Sequence, residues 1–283
     1  MNSVPESLQP GTMIGILGGG QLAQMLILAG HAMGFRFIVL DPNPNCPANL
    51  VGAAQITAAY DDQEALAKLA ASCVVVTYEF ENVNADSVSW LEERVDLPQG
   101  SELLRISQNR LREKTFLEKL AVQVSPFQKI TTEKDVLDAF AVLGELMLKT
   151  VTGGYDGRGQ TRISRTEQIP EAFSALSKAK TEIVAEQFVP FEREISVMVG
   201  RNRLGEIRCF TPVENLQKKI LTISRIPARL VPEVSEQAQT VAKKIAEGLE
   251  LVGVLGVEMF VLADGELLVN EIAPRPHLSL IHI

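Results

Sequence analysis

Cysteine is scarce in this chain. Cys46, Cys73 and Cys209 are odd in number and widely spaced. That excludes a disulfide framework and a cysteine metal knuckle, and points to a reducing compartment. Aromatic residues make up only 5% of the sequence, so the core must be built from Val, Ile, Leu and Ala. Basic residues nowhere form a long run, and the net charge is −8. Nucleic-acid and membrane-surface partners are therefore not expected. No apolar run is long enough to span a membrane. The polar segment from Met1 to Thr12 lacks the basic-then-apolar order of a leader, so a cytoplasmic location is expected. Internal repeats and low-complexity tracts are absent.

What is present is a hydrophobic fraction of 46% over 283 residues. That suits an α/β enzyme of two domains or three lobes, at ~100–200 residues per domain. The most informative stretch is Lys149-Thr-Val-Thr-Gly-Gly-Tyr-Asp-Gly-Arg-Gly-Gln160, flanked by short strand-like runs. Gly153, Gly154, Gly157 and Gly159 put four glycines in seven residues, more than a hairpin needs. Glycine lets the main chain approach a ligand closely. With Lys149 at its root and Arg158 near its tip, the loop suits a phosphate chain, held by backbone N–H groups and fixed cations. It reads as a lid over a nucleotide. It is not a Walker loop, because no Gly-Lys-Ser/Thr follows and no helix opens behind it.

Met13–Leu17, an apolar helix to about Met33 and Phe35–Leu40 form a βαβ opening. Its Gly18-x-Gly20-x-x-Ala23 turn and Asp41 form a dinucleotide fingerprint, which keeps NAD as a minor alternative. A helix over 62–71 and a strand over 73–77 follow. Glu79 and Glu81 come next, at the carboxyl end of that strand, where open sheets place ligands or simply a solvated loop. Ser107 is the expected N-cap of a helix reaching Leu120. Beyond Pro126 a small α+β lobe is expected: a strand over 127–130, a helix over 133–143, the lid with its strands, a helix over 166–178 and a strand over 182–188. Antiparallel strands over 191–199 and 204–213, a helix over 232–251 and strands over 252–262 and 266–272 complete the chain. The expected division is 1–106, an N-terminal βαβ domain; 107–190, a small lobe with the lid; and 191–283, a large lobe.

Asp264-Gly265 is a strong two-residue hairpin turn. Counting outward from it pairs Glu258 with Glu271, two acids facing each other on one side of a sheet. Like charges so placed destabilise, and a divalent cation between them would remove the conflict. Mg2+, or Mn2+ in its place, prefers one or two carboxylates plus nucleotide phosphates. A shared proton or a Lys or Arg partner is the alternative. Strict alternation would turn Asn270 to the other face, so its use at this site requires an irregularity in the strand. Upstream, Glu186-Gln-Phe-Val-Pro190 is an extended segment whose backbone could meet an adenine edge. Glu194, eight residues after Glu186, could accept ribose hydroxyls.

Lysine, glycine lid, linker acid, a further acid and paired acids, in that order, resemble the ATP-grasp superfamily. Within it the chain is similar to the 5-(carboxyamino)imidazole ribonucleotide synthase family. The similarity rests on Gly18-Gly-Gly-Gln-Leu22, the Tyr155-Asp-Gly-Arg-Gly159 lid, Glu186-Gln-Phe-Val189, Phe191-Glu-Arg-Glu-Ile-Ser196, Pro212-Val-Glu-Asn215 and Asn270-Glu-Ile-Ala-Pro-Arg-Pro-His277. It implies an ATP-grasp fold, α/β and α+β, behind a Rossmann-like N-terminal parallel sheet (like the biotin-carboxylase N-terminal domain).

The implied activity is carboxylation of aminoimidazole ribonucleotide by bicarbonate and ATP through carboxyphosphate. By matching positions, ATP would be held by Arg110, Lys149, the lid residues Gly153, Gly154, Tyr155, Asp156, Gly157, Arg158 and Gly159, and the linker residues Glu186, Gln187, Phe188 and Val189. Glu194, Gln217, Asn270 and Glu271 would complete that set, and Glu258 with Glu271 would hold magnesium. Gln21, Leu22, Tyr155, Asp156, Arg158, Arg275 and His277 would meet the ribonucleotide, with Arg275, His277 and Tyr155 catalytic. A homodimer is also implied. Two departures stand out: Gln217 replaces the family's usual histidine, and after His277 the sequence ends in Leu278–Ile283 where the family runs on. The expectation is a C-terminally truncated synthase. The alternatives are a remnant that binds ATP without turnover, or another carboxylate-amine ligase of the superfamily.

Overall fold

The structure, a computed structural model, describes residues 7–153, 159–179, 181–218 and 221–276. The N-terminal part is one parallel sheet of β1 (Met13–Leu17), β2 (Arg36–Leu40), β3 (Ala54–Ile56) and β4 (Val75–Tyr78), in the order β3-β2-β1-β4. Helices α1 (Gln21–Ala32), α2 (Gln63–Ser72) and α3 (Ala85–Glu92) cover it. The strands are apolar runs because both faces are covered: Ile16, Leu17, Val39 and Leu40 are fully buried. Asp62, expected inside the helix over 62–71, is instead the cap of α2 and accepts from Ala65 N at 2.9 Å. The short edge strand β3 was not foreseen, since its three residues leave little pattern to read.

The helix expected over 107–120 is broken. α4 (Ser101–Ser107) ends where the cap was placed, and α5 (Arg110–Lys119) starts anew with Asn109 accepting from Arg112 N at 3.0 Å. Asparagine is a strong N-cap, and here it wins over continuing the helix. The break puts Arg110 in the first turn of α5.

A second, antiparallel sheet runs β5-β8-β6-β7, from β5 (Phe127–Ile130), β6 (Leu146–Thr150), β7 (Gln160–Ile163) and β8 (Ile183–Gln187). Helices α6 (Glu133–Leu143) and α7 (Ile169–Ser177) back it, and the glycine loop joins β6 to β7. The third sheet holds β9 (Arg193–Arg201), β10 (Ile207–Cys209), β11 (Val213–Lys218), β12 (Leu221–Arg225), β13 (Gly253–Val261) and β14 (Leu267–Ala273). Its order is β12-β11-β9-β13-β14, with β10 beside β9. The strand expected over 204–213 shrinks to β10, and the β11–β12 hairpin was hidden by its polar residues.

Helix α8 (Pro232–Gly248) packs on one face of this sheet, against Ile195, Val197, Val199, Val257, Met259, Leu267, Val269 and Ile272. Leu103 and Leu117, from α4 and α5, join the same core. The opposite face carries Glu194, Ser196, Asn215 and Glu258 by alternation along paired strands. That face is the floor of the site.

Candidate active site

The glycine turn after β1 is closed to a dinucleotide. Glu79 accepts from Gly20 N at 2.7 Å and from Ala23 N at 2.9 Å, filling the anion position at the start of α1 with the protein's own carboxylate. A Cβ on Gly20 would lie 2.5 Å from Glu79 Oε1, so glycine there serves Glu79. Asp41, the acid that might have met a ribose, turns inward to accept from Gly19 N at 2.8 Å and from the Tyr60 hydroxyl at 2.9 Å. The NAD alternative therefore fails on geometry. Gln21 is exposed at the start of α1, and Leu22 is buried, so Leu22 can offer a ligand only its backbone.

Across the molecule, β6, β8 and α5 build a buried ionic cluster. Lys149 Nζ lies 3.0 Å and Lys114 Nζ 3.2 Å from the same oxygen of Glu186, Oε2, which also accepts from Ser125 Oγ at 3.2 Å. Burial pushes the Glu186 carboxyl upward, but the two lysine charges outweigh it and hold it below the usual carboxylate range. Burial, with Lys149 as a like charge, lowers Lys114. Glu186 Oε1 is left buried without any hydrogen bond, as is Asn215 Oδ1 on the sheet floor. Unpaired buried acceptors are costly and call for a donor from outside the chain. An adenine amine or a ribose hydroxyl is such a donor.

The linker behind Glu186 is partly committed. Gln187 N bonds to Pro126 O and Phe188 N to Glu145 O, both at 2.8 Å, while the Phe188 ring lies under the Arg162 guanidinium at 3.7 Å. Of these three amides, Val189 N–H is the one left for a base edge. At the root of the glycine loop, Thr150 N bonds to Gly159 O at 2.9 Å, and Gly153 takes a left-handed φ of 75°.

The acid pair forms as expected, by a different route. The turn has three residues, not two: Leu262 N bonds to Glu266 O across Ala263, Asp264 and Gly265, with Gly265 at φ 87°. That pairs Val261 with Leu267 and Met259 with Val269, one residue out of the expected register. A bulge between Glu258 and Met259 then restores it, so Glu258 does face Glu271. Asn270 is the extra residue, and the bulge supplies the irregularity its use at the site requires. Burial raises the Glu271 carboxyl above its ordinary value, and the Glu258 charge raises it further. Arg110 Nη1 lies 3.2 Å from Glu271 Oε2, and Glu113 Oε1 accepts from Ile272 N at 2.6 Å, so α5 grips β14 at this point. Among the described residues no three His, Cys, Asp or Glu cluster as a metal site. Two facing acids suit a cation whose remaining ligands are phosphate and water, as Mg2+ prefers.

At the end of β14, Arg275 pairs with both oxygens of Glu81, Nε to Oε2 and Nη2 to Oε1, the latter at 3.3 Å. Gly154, Tyr155, Asp156, Gly157, Arg158 and His277 lie outside the described residues, as does the Gln217 side chain. Sequence reading did not assign Lys114, Ser125, Asn215 or Glu113 to the site, and it left Glu81 at a strand end suited either to a ligand or to a solvated loop. One signal was available for Lys114: it sits four residues after Arg110 and three before the buried Leu117, on one helix face.

The chain that carries this buried lysine cluster and these facing acids has relatives among known proteins. Residues 12–108 match the ribonucleotide synthetase preATP-grasp domain, and residues 115–280 match the ATP-grasp domain. The N5-carboxyaminoimidazole ribonucleotide synthase of Bacillus subtilis is 43% identical over 276 residues, 97% of this chain and 72% of the relative. The chain belongs to this synthase family. Among solved members, an ADP complex of the synthetase superposes with a TM-score of 0.92 at 44% identity, covering 96% of this chain and 72% of that one. The synthase of Aspergillus clavatus, in complex with ADP and 5-aminoimidazole ribonucleotide, superposes at 0.89 with 30% identity and the same coverage. The synthase family thus accounts for the ATP-grasp fold behind a parallel N-terminal sheet.

Proposed function

We propose that the chain is an ATP-grasp ligase that carboxylates the exocyclic amine of 5-aminoimidazole ribonucleotide, using bicarbonate and ATP, in purine biosynthesis. The observation that carries this is the facing pair Glu258 and Glu271 beside the buried Lys149–Glu186 cluster, in a chain of the synthase family. A bicarbonate oxygen attacks the γ-phosphorus and ADP leaves, giving carboxyphosphate. The amine then attacks the carboxyl carbon, phosphate departs and the nitrogen loses a proton.

Glu186 Oε1, buried without a hydrogen bond, and Val189 N–H would meet the adenine edge, and Glu194 the ribose. Lys149, Arg110 and the lid with Arg158 would hold the phosphates by fixed positive charge, in a site that closure makes dry. Magnesium, held by Glu258 and Glu271, would neutralise phosphoryl charge. Arg275 offers a planar fork suited to a carboxylate or phosphate. Tyr155, Asp156 and His277 complete our assignment, with Gln21 and the Leu22 backbone toward the ribonucleotide. We retain the division at 1–106, 107–190 and 191–283, a cytoplasmic location and a homodimer as part of the proposal. No helix among the described residues is long and apolar enough to cross a membrane.

The test is ADP release with ATP, magnesium and bicarbonate, with and without aminoimidazole ribonucleotide. Release that rises with the ribonucleotide, and is lost in Glu271→Ala, is expected. ATP binding without ribonucleotide-dependent turnover would overturn the ligase assignment for this chain and favour a nucleotide-binding remnant.

A further inference from the structure

We propose that Glu81, from the N-terminal domain, is a positioning residue for Arg275. It orients the guanidinium toward the reacting carboxyl group and keeps it off the facing acids Glu258 and Glu271. The proposal rests on the assignment of Arg275 given above.

Glu81 follows β4 in a loop that is itself fixed. Gln108 Nε2, from the α4–α5 break, donates to the carbonyls of both Glu81 and Val83 at 2.6 Å. On the other side, Gln99 Nε2 donates to Pro274 O at 3.3 Å, so the end of β14 is pinned next to Arg275. Between these anchors the Glu81 carboxylate takes the Nε–Nη2 edge of Arg275 in a two-point contact. Both partners are largely buried, their side chains 30% and 18% exposed. A two-point pair fixes the guanidinium plane as well as its position. Arg275 Nη1 bends back to Pro276 O at 3.4 Å. The edge left for an anion is therefore the Nη1–Nη2 end, aimed by Glu81.

The second half of the role is electrostatic. Arg275 feels the charges of Glu258 and Glu271 as well as that of Glu81. A long, flexible cation beside two facing carboxylates would fold onto them and neutralise the pair. Glu81 holds this guanidinium away from the pair, where Arg110 already meets Glu271. Through this carboxylate the N-terminal domain acts on the chemistry without Glu81 itself touching substrate.

The experiment is a double-mutant cycle of Glu81→Gln and Arg275→Lys on the full chain. It is read by ribonucleotide-dependent ADP release and by NMR of the Arg275 Nε–H, assigned by its loss in Arg275→Lys. Glu81→Gln should lower kcat roughly 10- to 100-fold, as expected for a group displaced by about 1 Å, with ATP KM unchanged. In the Arg275→Lys background Glu81→Gln should add almost nothing, because both changes remove one interaction. The Arg275 Nε–H should be protected from exchange in the wild type and lose that protection in Glu81→Gln. Additive effects, or an Nε–H equally protected in Glu81→Gln, would overturn the proposal. Full turnover in Arg275→Lys would instead remove the assignment of Arg275, and the NMR signal would then decide the pairing by itself. Should the chain lack turnover, that signal decides it as well.

Discussion

Lys114 shows how much one side chain settles at this site. Its ammonium is 1% exposed and shares Glu186 Oε2 with Lys149, so the cluster is two cations on one anion. Breaking a buried ion pair by removing one partner strands the other. Lys114→Met keeps the volume and removes the charge, and should cost roughly 3 kcal/mol in chemical denaturation. A loss under about 1 kcal/mol would mean that Lys149 alone satisfies Glu186. The sequence made Lys149 conspicuous because a glycine loop follows it. Lys114 sits in an ordinary polar helix, and its importance arises from burial against a strand that lies 72 residues away at Glu186. That contact is a property of the fold, and its local trace is no more than the helix face that Lys114 shares with Arg110 and Leu117.

At the scale of elements, the third sheet is tied together on its α8 face by Glu214, 2% exposed on β11. Arg229 donates through Nε and Nη2 at 3.2 and 3.1 Å, and Arg193 and Arg225 add one contact each at 3.2 Å. The Arg229 hydrogen bonds lead in holding the Glu214 carboxyl down at about 2, against an ordinary 4.5. A folded value below the unfolded one adds stability above the unfolded pKa and loses it as pH falls through the folded value. Wild type should therefore exceed Glu214→Gln in thermal midpoint at pH 6. The gap should close as pH falls from about 4.5 toward about 2. A gap that stays constant over that range would show that the arginines act through shape and not through charge.

The same sheet shows what was legible. The acid pair was read correctly from the hairpin although the turn was read one residue short, because the bulge at Asn270 made up the difference. The pattern did carry that bulge: Leu267 and Val269 alternate inward, and the next inward residue is Ile272, not position 271. Strong apolar runs and helix α6, expected over 133–143, were likewise legible. The β11–β12 hairpin was hidden by its polar residues, and the local cap at Asn109 lay inside a pattern that reads as one helix.

For the whole molecule, the N-terminal domain is a parallel sheet whose glycine turn holds the protein's own carboxylate where a dinucleotide phosphate would sit. The two acids that immediately follow β4 are spent on the chain itself, Glu79 on the α1 amides and Glu81 on Arg275. The sequence indicated the sheet and the turn but not their use, since a fingerprint for an anion looks the same whether the anion is foreign or internal. Glu79 is in effect a tethered ligand, and a tethered ligand can be replaced by a free one. Glu79→Ala should lower the thermal midpoint by leaving Gly20 and Ala23 N–H unpaired. Millimolar formate should then restore part of it in the variant while leaving wild type unmoved. No recovery with formate would mean that the carboxylate matters chiefly for packing against Gly18. Chemical rescue of this kind would make the domain an anion receptor that folding has already filled.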